Sequence, residues 1–153
     1  MNKLDSLSTQ QFKAILNSAK FSIITTDQNG IITSFNKEAE AILEYHPTEL
    51  IGIQSPAIFH DMEEVISEGK RLSELYQTEI SGFETFVFLS RKDIFYEKEW
   101  TYISKSGKKT KILLNITALR NDFNEIIGFM GIGKDLTNVK INEELIRQKD
   151  AII

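Results

Sequence analysis

The stretch FSIITTDQNGIITSFN, residues 21–36, decides the fold because it encodes a tight β-hairpin followed by the start of a helix. Two runs rich in β-branched residues flank Asn29-Gly30, and this dipeptide accepts the positive φ angles of a two-residue hairpin turn. We therefore predict strands over residues 21–27 and 30–35. Asn36 can then cap a short helix, whose inner face carries Ala39, Ile42 and Leu43.

Helical patterns lie on both sides of this hairpin. Residues 9–19 place Phe12, Ile15, Leu16 and Ala19 on one helix face, and Ser8 with Gln11 forms a capping-box pattern that predicts the helix start. A second periodic set predicts another helix further along, at Phe83, Phe86, Val87 and Ile94. The middle of the chain is therefore expected to be helical.

The pattern changes to strands after residue 97. We predict three of them, over residues 98–104, 109–120 and 125–136, separated by turns rich in Gly, Asn and Asp. Along the middle strand, the better core face carries Ile112, Leu114, Ile116 and Ala118. Antiparallel strands at both ends of a helical middle predict an α+β fold with a sheet covered on one face.

Composition narrows the function classes. The chain has 153 residues, 41% of them hydrophobic and 26% charged, which suits one globular domain. The net charge of −4 argues against a nucleic-acid surface. With no cysteine, disulfides, thiolate metal sites and a cysteine nucleophile are excluded. No apolar run reaches the length of a membrane span and no signal peptide opens the chain, so we expect a cytoplasmic protein with no membrane partner.

Catalytic and metal patterns are absent from the sequence. Its two histidines, His46 and His60, do not form a zinc-binding spacing, and neither a phosphate loop nor a serine nucleophile elbow is present. His60 stands beside Asp61, Glu63 and Glu64, which suggests a site. However, Asp61 with Glu64 matches a capping box that starts a helix. We expect His60 to brace that helix start and to bind no metal, and we expect no enzymatic activity in this chain.

Several stretches in order resemble the PAS domain family. They are IITTDQNGIITSFNKEAEAILEYHPTELIG, FHDMEEV, GFETFV, EWTYISKSGKK and ILLNITALRNDFNEIIGFMGIGKDLT, which together cover about residues 10–137. The pattern is most similar to PAS modules that precede histidine kinase or diguanylate cyclase domains in bacterial sensor proteins. The resemblance implies a five-stranded antiparallel sheet with helices on one face, a pocket between helices and sheet, and a sensory or relay role.

The resemblance also implies which side chains wall the pocket. The candidates are Phe83, Phe86, Trp100, Tyr102, Leu114, Ile116 and Met130. Each of these side chains has the alternative of being plain core, because aromatic residues at helical or strand spacing usually pack inside. The ligand is unknown. Haem is disfavoured because residues 72–94, which correspond to the helix that supplies the axial histidine in haem-binding members, contain no histidine. A cysteinyl-flavin is excluded, and a non-covalent small molecule, including flavin, stays open.

The end of the chain resembles a signalling junction. KDLT, residues 134–137, is similar to the Asp-x-Thr motif that closes PAS domains, which implies that Asp135 and Thr137 tie the last strand to an exit helix and to the turn that carries Lys105. In the exit helix, Ile141, Leu145, Gln148 and Ile152 follow a coiled-coil spacing with one polar position. We expect this helix to pair with a second copy and to continue beyond Ile153 in a longer protein.

The resulting expectation has three segments. Residues 1–20 form a flanking helix, residues 21–137 the PAS domain, and residues 138–153 the start of a signalling helix. We expect a homodimeric sensory or relay domain of a two-component or related bacterial protein, joined to a C-terminal histidine kinase or diguanylate cyclase. The alternatives are a redox or light sensor with non-covalent flavin, which an absorbance scan would reveal, and a dimerisation module without ligand.

Overall fold

The computed structural model describes the backbone of residues 3–152 and the side chains of residues 8–137 and 141–149. Within this range the elements follow the predicted order of a helix, two strands, several helices, three strands and a helix. In chain order they are α1 (Lys3–Ser18), β1 (Ser22–Asp27), β2 (Ile32–Phe35), α2 (Lys37–Leu43), α3 (Pro47–Leu50), a 3₁₀ helix (Pro56–Phe59), α4 (Met62–Tyr76), α5 (Glu84–Arg91), β3 (Glu97–Ile103), β4 (Lys109–Arg120), β5 (Ile126–Asp135) and α6 (Thr137–Ile152).

The five strands form one antiparallel sheet in the order β2-β1-β5-β4-β3. The first and last strands, β1 and β5, therefore pair with each other, and β5 lies at the centre of the sheet between β1 and β4. The inner face of the sheet is buried against the helices, and Ile24, Ile112, Leu114 and Phe129 lie in this core. The predicted α+β class, with a five-stranded antiparallel sheet, is confirmed.

The predicted hairpin forms, but β2 begins at Ile32 and not at residue 30, because the turn has a positive φ at Gly30 and not at Asn29. Gly30 has a φ of 88°, in the region that glycine adopts without strain. The carboxylate of Asp27 accepts hydrogen bonds from the backbone N–H groups of Asn29, at 2.8 Å, and Ile31, at 3.0 Å. A ring of Phe83 lies against Gly30, where a Cβ atom would come within 2.9 Å of it. The turn thus requires glycine both for its conformation and for its packing.

Asn36 does more than cap α2. Its Oδ1 accepts from the N–H of Ala39, at 3.1 Å, and from the N–H of Ile23, at 3.0 Å. Its Nδ2 donates to the carbonyls of Leu16 and Phe21, each at 2.8 Å. This one buried amide therefore ties α1, β1 and the start of α2 together.

Two predicted helix limits are wrong. Helix α1 begins at Lys3, so Ser8 lies inside it and does not cap it, because the preceding residues continue the same helix. Helix α5 ends at Arg91, and Ile94 lies beyond it with 41% of its surface exposed. The reason is Asp93, whose φ of 55° places it in the left-handed conformation that ends a helix.

Candidate functional site

A small cavity lies between the inner face of the sheet and the helices, with a volume of about 40 Å³. The sheet supplies Ile24, Thr26, Tyr102, Leu114, Ile116, Phe129 and Gly131, and the segments that cover the sheet supply Pro56, Phe59, His60, Phe83, Phe86 and Val87. Glycine at position 131 leaves room for the cavity beside Leu114, whose Cδ1 would lie 3.3 Å from an added Cβ.

Most of the predicted pocket residues meet at this cavity. Phe83, Phe86, Tyr102, Leu114 and Ile116 line it. Trp100 lies in the adjacent core, only 1% exposed, with its ring 5.1 Å from that of Phe86. It supports the wall and does not line the cavity.

Met130 is placed wrongly by the sequence-based prediction. It pairs with Thr25 on β1 and Thr117 on β4, on the outer face of the sheet. The physical reason is the two-residue alternation of a strand. Because the neighbours Phe129 and Gly131 face the cavity, Met130 points away from it.

His60 lines the cavity, although sequence reasoning assigned it only a bracing role. Its backbone bridges to Tyr102 on the edge strand β3, and the residue is only 6% exposed. Its imidazole sits among four aromatic rings, with centroid distances of 4.4 Å to Phe86, 5.1 Å to Tyr102, 5.4 Å to Trp100 and 5.5 Å to Phe59. The sequence did contain an indication of this inward packing, because the residue before a helix cap often packs against the fourth residue of the helix.

The electrostatics of His60 follow from this packing. Burial lowers the pKa of its imidazole to about 3, so the ring is neutral at physiological pH. Its Nδ1 atom is buried and has no hydrogen-bond partner. Burial also raises the pKa of the Tyr102 hydroxyl, which stays protonated. The cavity wall thus includes a neutral imidazole and no charged side chain.

The acidic residues after His60 do not form a site with it. Asp61 caps α4 by accepting from the N–H of Glu63, at 2.9 Å. Glu64 does not complete the predicted capping box. Its carboxylate instead accepts from the N–H and Oγ1 of Thr101, at 2.7 Å and 2.8 Å, because Thr101 lies on an edge strand whose outer N–H groups need partners. Glu64 therefore joins α4 to β3, whereas Asp61 caps α4.

The exit junction is built differently from the expectation. Asp135 Oδ1 accepts from the N–H and Oγ1 of Thr137, at 2.9 Å and 2.6 Å, so the Asp-x-Thr segment caps the start of α6. The structure does not bring Lys105 to Asp135. The ammonium of Lys105 pairs with the carboxylate of Glu49, and its backbone N–H donates to Leu43. The turn between β3 and β4 is therefore bound to α2 and α3 and not to the junction.

The predicted helix seam is exposed where its side chains are described. Ile141 is 53% exposed and Leu145 is 58% exposed, whereas the side chain of Ile152 lies outside the described residues. On α1, Phe12 and Ile15 are also exposed, at 61% and 65%. Both flanking helices thus present apolar side chains without a partner among the described residues.

Among the side chains that the structure describes, no group of three or more histidine, cysteine, aspartate or glutamate residues is arranged to hold a metal ion. Among the described helices, none combines the length and apolar character needed to span a bilayer.

Comparison with known proteins assigns this chain to a family. The sequence matches the PAS domain family over residues 20–138, and the chain belongs to that family. It is a PAS sensory domain, of a family whose members are typically non-catalytic modules. No curated protein matches the sequence.

Solved structures support the same fold. One is a PAS domain from Colwellia psychrerythraea, with a TM-score of 0.60, 22% identity, and coverage of 86% of this chain and 98% of that chain. A domain of a sensory box sensor histidine kinase/response regulator from Geobacter sulfurreducens has a TM-score of 0.58, 14% identity, and coverage of 84% and 94%. A LOV domain of a blue-light activated histidine kinase from Erythrobacter litoralis has a TM-score of 0.54, 15% identity, and coverage of 76% and 95%.

Proposed function

We propose that this PAS domain binds a small molecule in the cavity beside His60 and relays its presence through a homodimer to a C-terminal effector, a histidine kinase or a diguanylate cyclase. The observation that carries the proposal is the apolar cavity between the sheet and the helices, whose wall includes His60. The Nδ1 atom of His60 is buried and has no hydrogen-bond partner. A buried polar atom without a partner is destabilising in a plain core. A ligand or a bound water that hydrogen-bonds to this atom would remove that destabilisation.

The volume of the cavity distinguishes between the ligands that the sequence left open, a small molecule and a larger cofactor such as flavin. Its volume of about 40 Å³ exceeds the roughly 10–15 Å³ that one water requires, but it is far below the roughly 300–1,000 Å³ of pockets for larger ligands. A haem or a flavin would force the helices away from the sheet. The walls also lack amide side chains to match the polar edge of a flavin. We therefore infer a small ligand rather than a large cofactor.

A thermal-unfolding screen tests cavity binding. A small molecule that binds the folded state is expected to raise the melting temperature progressively with its concentration. The matched control is Ile116→Phe, which fills the cavity from its wall and should abolish the shift while leaving the fold intact. A hit that shifts the variant as much as the natural chain would place binding elsewhere. If no small molecule shifts the natural chain, the ligand-free dimerisation module becomes the better description.

The relay would pass from the sheet to α6 through the Asp135–Thr137 cap. Strand β5 supports this path because it both walls the cavity, at Phe129 and Gly131, and leads into the cap. A ligand can shift the equilibrium between two packings of α6 only if it binds the two states differently. We propose that those packings differ at the interface with a second copy, in a cytoplasmic setting. The exposed Ile141 and Leu145 of α6 are suited to that interface.

Charge introduced into this seam tests the dimer. We expect the chain to sediment as a dimer at micromolar concentration, and we expect Ile141→Glu with Leu145→Glu to weaken dimerisation at least tenfold, since two charges would be buried without partners. The control is Glu143→Gln, a change on the same helix that removes an exposed charge. A monomer in the natural chain, or a double variant that dimerises as well as the control, would contradict the proposed interface.

A further inference from the structure

We infer that the groove between helix α4 and residues 79–82 is a docking site for a basic amphipathic helix of a partner protein. None of the residues that line this groove lines the cavity, so the inference does not depend on the ligand that the cavity binds. It is carried by the shape of the groove, by the apolar side chains that it exposes, and by the carboxylates at its rim.

The groove is preformed and has a volume of about 460 Å³. Its outer wall, residues 79–82, is held against α4 by Ser73, whose Oγ accepts from the N–H of Ile80 at 2.8 Å and donates to the carbonyl of Ile80 at 3.1 Å. Gly69 allows this wall to approach closely, because an added Cβ would lie 2.9 Å from the carbonyl oxygen of Ile80. The two walls are therefore bound to each other, and a partner meets a surface that needs little reorganisation.

The α4 side of the groove is apolar and exposed. Met62 and Ile66 each leave more than half of their surface exposed, whereas Val65 is buried beneath them. The residues of α4 that line the groove include one stripe with spacings of four, three and four residues, formed by Met62, Ile66, Gly69 and Ser73. This stripe is about 16 Å long, which matches three turns of a second helix. Apolar side chains one turn apart on that helix would pack against Met62 and Ile66.

Carboxylates border the apolar stripe. Glu74 and Glu79 line the groove, and Glu63 lines an adjoining groove together with Ile66. Among the described residues, none forms an ion pair with any of these three side chains. Lys70 lines both grooves, so three carboxylates and one ammonium leave an excess of two negative charges.

The two properties together select the partner. A purely apolar ligand would leave the carboxylates without a counter-charge, and an acidic partner would add to their mutual repulsion. A helix that carries leucine-like side chains on one face and lysine or arginine beside them complements both the stripe and its rim. Met62 suits such a surface, because its unbranched thioether side chain adapts to the shape of a partner.

Binding of a model helix tests the inference. The probe is a peptide of about 14 residues built from leucine and lysine, with the leucines on one helix face, and the control peptide carries glutamate in place of lysine. We expect fluorescence anisotropy at low salt to show about tenfold or more tighter binding of the lysine peptide, because like charges repel the glutamate peptide. Glu74→Gln with Glu79→Gln should weaken the lysine peptide about threefold or more, since two attractive charges are removed.

Matched variants of α4 locate the binding site. Met62→Gln with Ile66→Gln should weaken the lysine peptide about tenfold or more, because the two central apolar contacts are lost. Leu75→Gln is the control, since Leu75 is an exposed apolar residue of the same helix that does not line the groove. It should change the Kd less than about twofold. All three side chains are exposed, so these variants are expected to fold.

The other outcomes each overturn the inference. No binding, or equal binding of the lysine and glutamate peptides, would exclude a basic helix as the partner. Equal weakening by Leu75→Gln and by the groove variant would place the peptide elsewhere on the surface. Sedimentation tests the remaining occupant, a second copy of this chain. If Met62→Gln with Ile66→Gln loses a self-association that the natural chain and Leu75→Gln retain, the groove is an interface between copies and not a site for a partner helix.

Discussion

Asn36→Ala is expected to lower the free energy of unfolding by about 3 kcal/mol or more, because four backbone groups lose their partner at once. The N–H groups of Ile23 and Ala39 and the carbonyls of Leu16 and Phe21 all bond to this amide. The residue is only 2% exposed, so water cannot replace the lost bonds without opening the structure. Loss of the cap alone accounts for about 1 kcal/mol. Urea denaturation at neutral pH measures the difference.

Asn121→Ala is the matched control for that variant. Asn121 also accepts two backbone hydrogen bonds, from Phe123 and Glu125, each at 2.9 Å. It does so in an exposed turn, where water can take over, so we expect a loss below about 1 kcal/mol. Equal losses in the two variants would contradict the view that Asn36 anchors α1, β1 and α2 through its burial.

The fold was predictable from the sequence because its signals are local. The Asn29-Gly30 turn and the helix cap at Asn36 each depend on residues within four positions. The cap forms as predicted, and the hairpin forms with a positive φ at Gly30 alone. The alternation along β4 likewise assigns Ile112 and Leu114 to the core. Such patterns specify the elements, and the arrangement of strands at both ends with helices between them specifies the sheet.

The site was predictable only in part, because it depends on contacts between distant residues. Five of the predicted residues line the cavity. Excluding Met130 would have required following the two-residue alternation along β5. Excluding Trp100 would have required knowing how the side chains pack around the cavity. The bond from Thr101 to Glu64 spans 37 residues, and the pair of Lys105 with Glu49 spans 56. No local pattern distinguishes these partners from the nearer ones.

His60 shows the same limit most clearly. In the sequence it stands beside three acids, which suggests a charged site. In the structure its ring faces Phe86, Trp100 and Tyr102, and the acids point elsewhere. The chain turns between His60 and Asp61, so that one residue enters the core and the next caps a helix. The neighbours in sequence therefore have little influence on the imidazole, whereas burial dominates its behaviour.

Acid is expected to destabilise the protein strongly through His60. Burial lowers the pKa of this imidazole from 6.5 to about 3 in the folded state. Between these values the unfolded chain binds a proton that the folded chain does not bind, so stability is lost as the pH falls below about 6.5. The loss amounts to about 1.4 kcal/mol per pH unit. Between about pH 7 and pH 4.5, this one group is expected to remove about 2.5 kcal/mol.

The variant His60→Phe isolates this contribution, because it keeps an aromatic ring in the cluster and removes the titrating group. Carboxyl groups titrate over the same range in both proteins, so the quantity to compare is the difference between their losses of unfolding free energy from about pH 7 to pH 4.5. We expect the natural chain to lose about 2.5 kcal/mol more than His60→Phe. Parallel pH profiles for the natural chain and His60→Phe would mean that the buried imidazole gains a proton without unfolding, and that its surroundings can open to admit water.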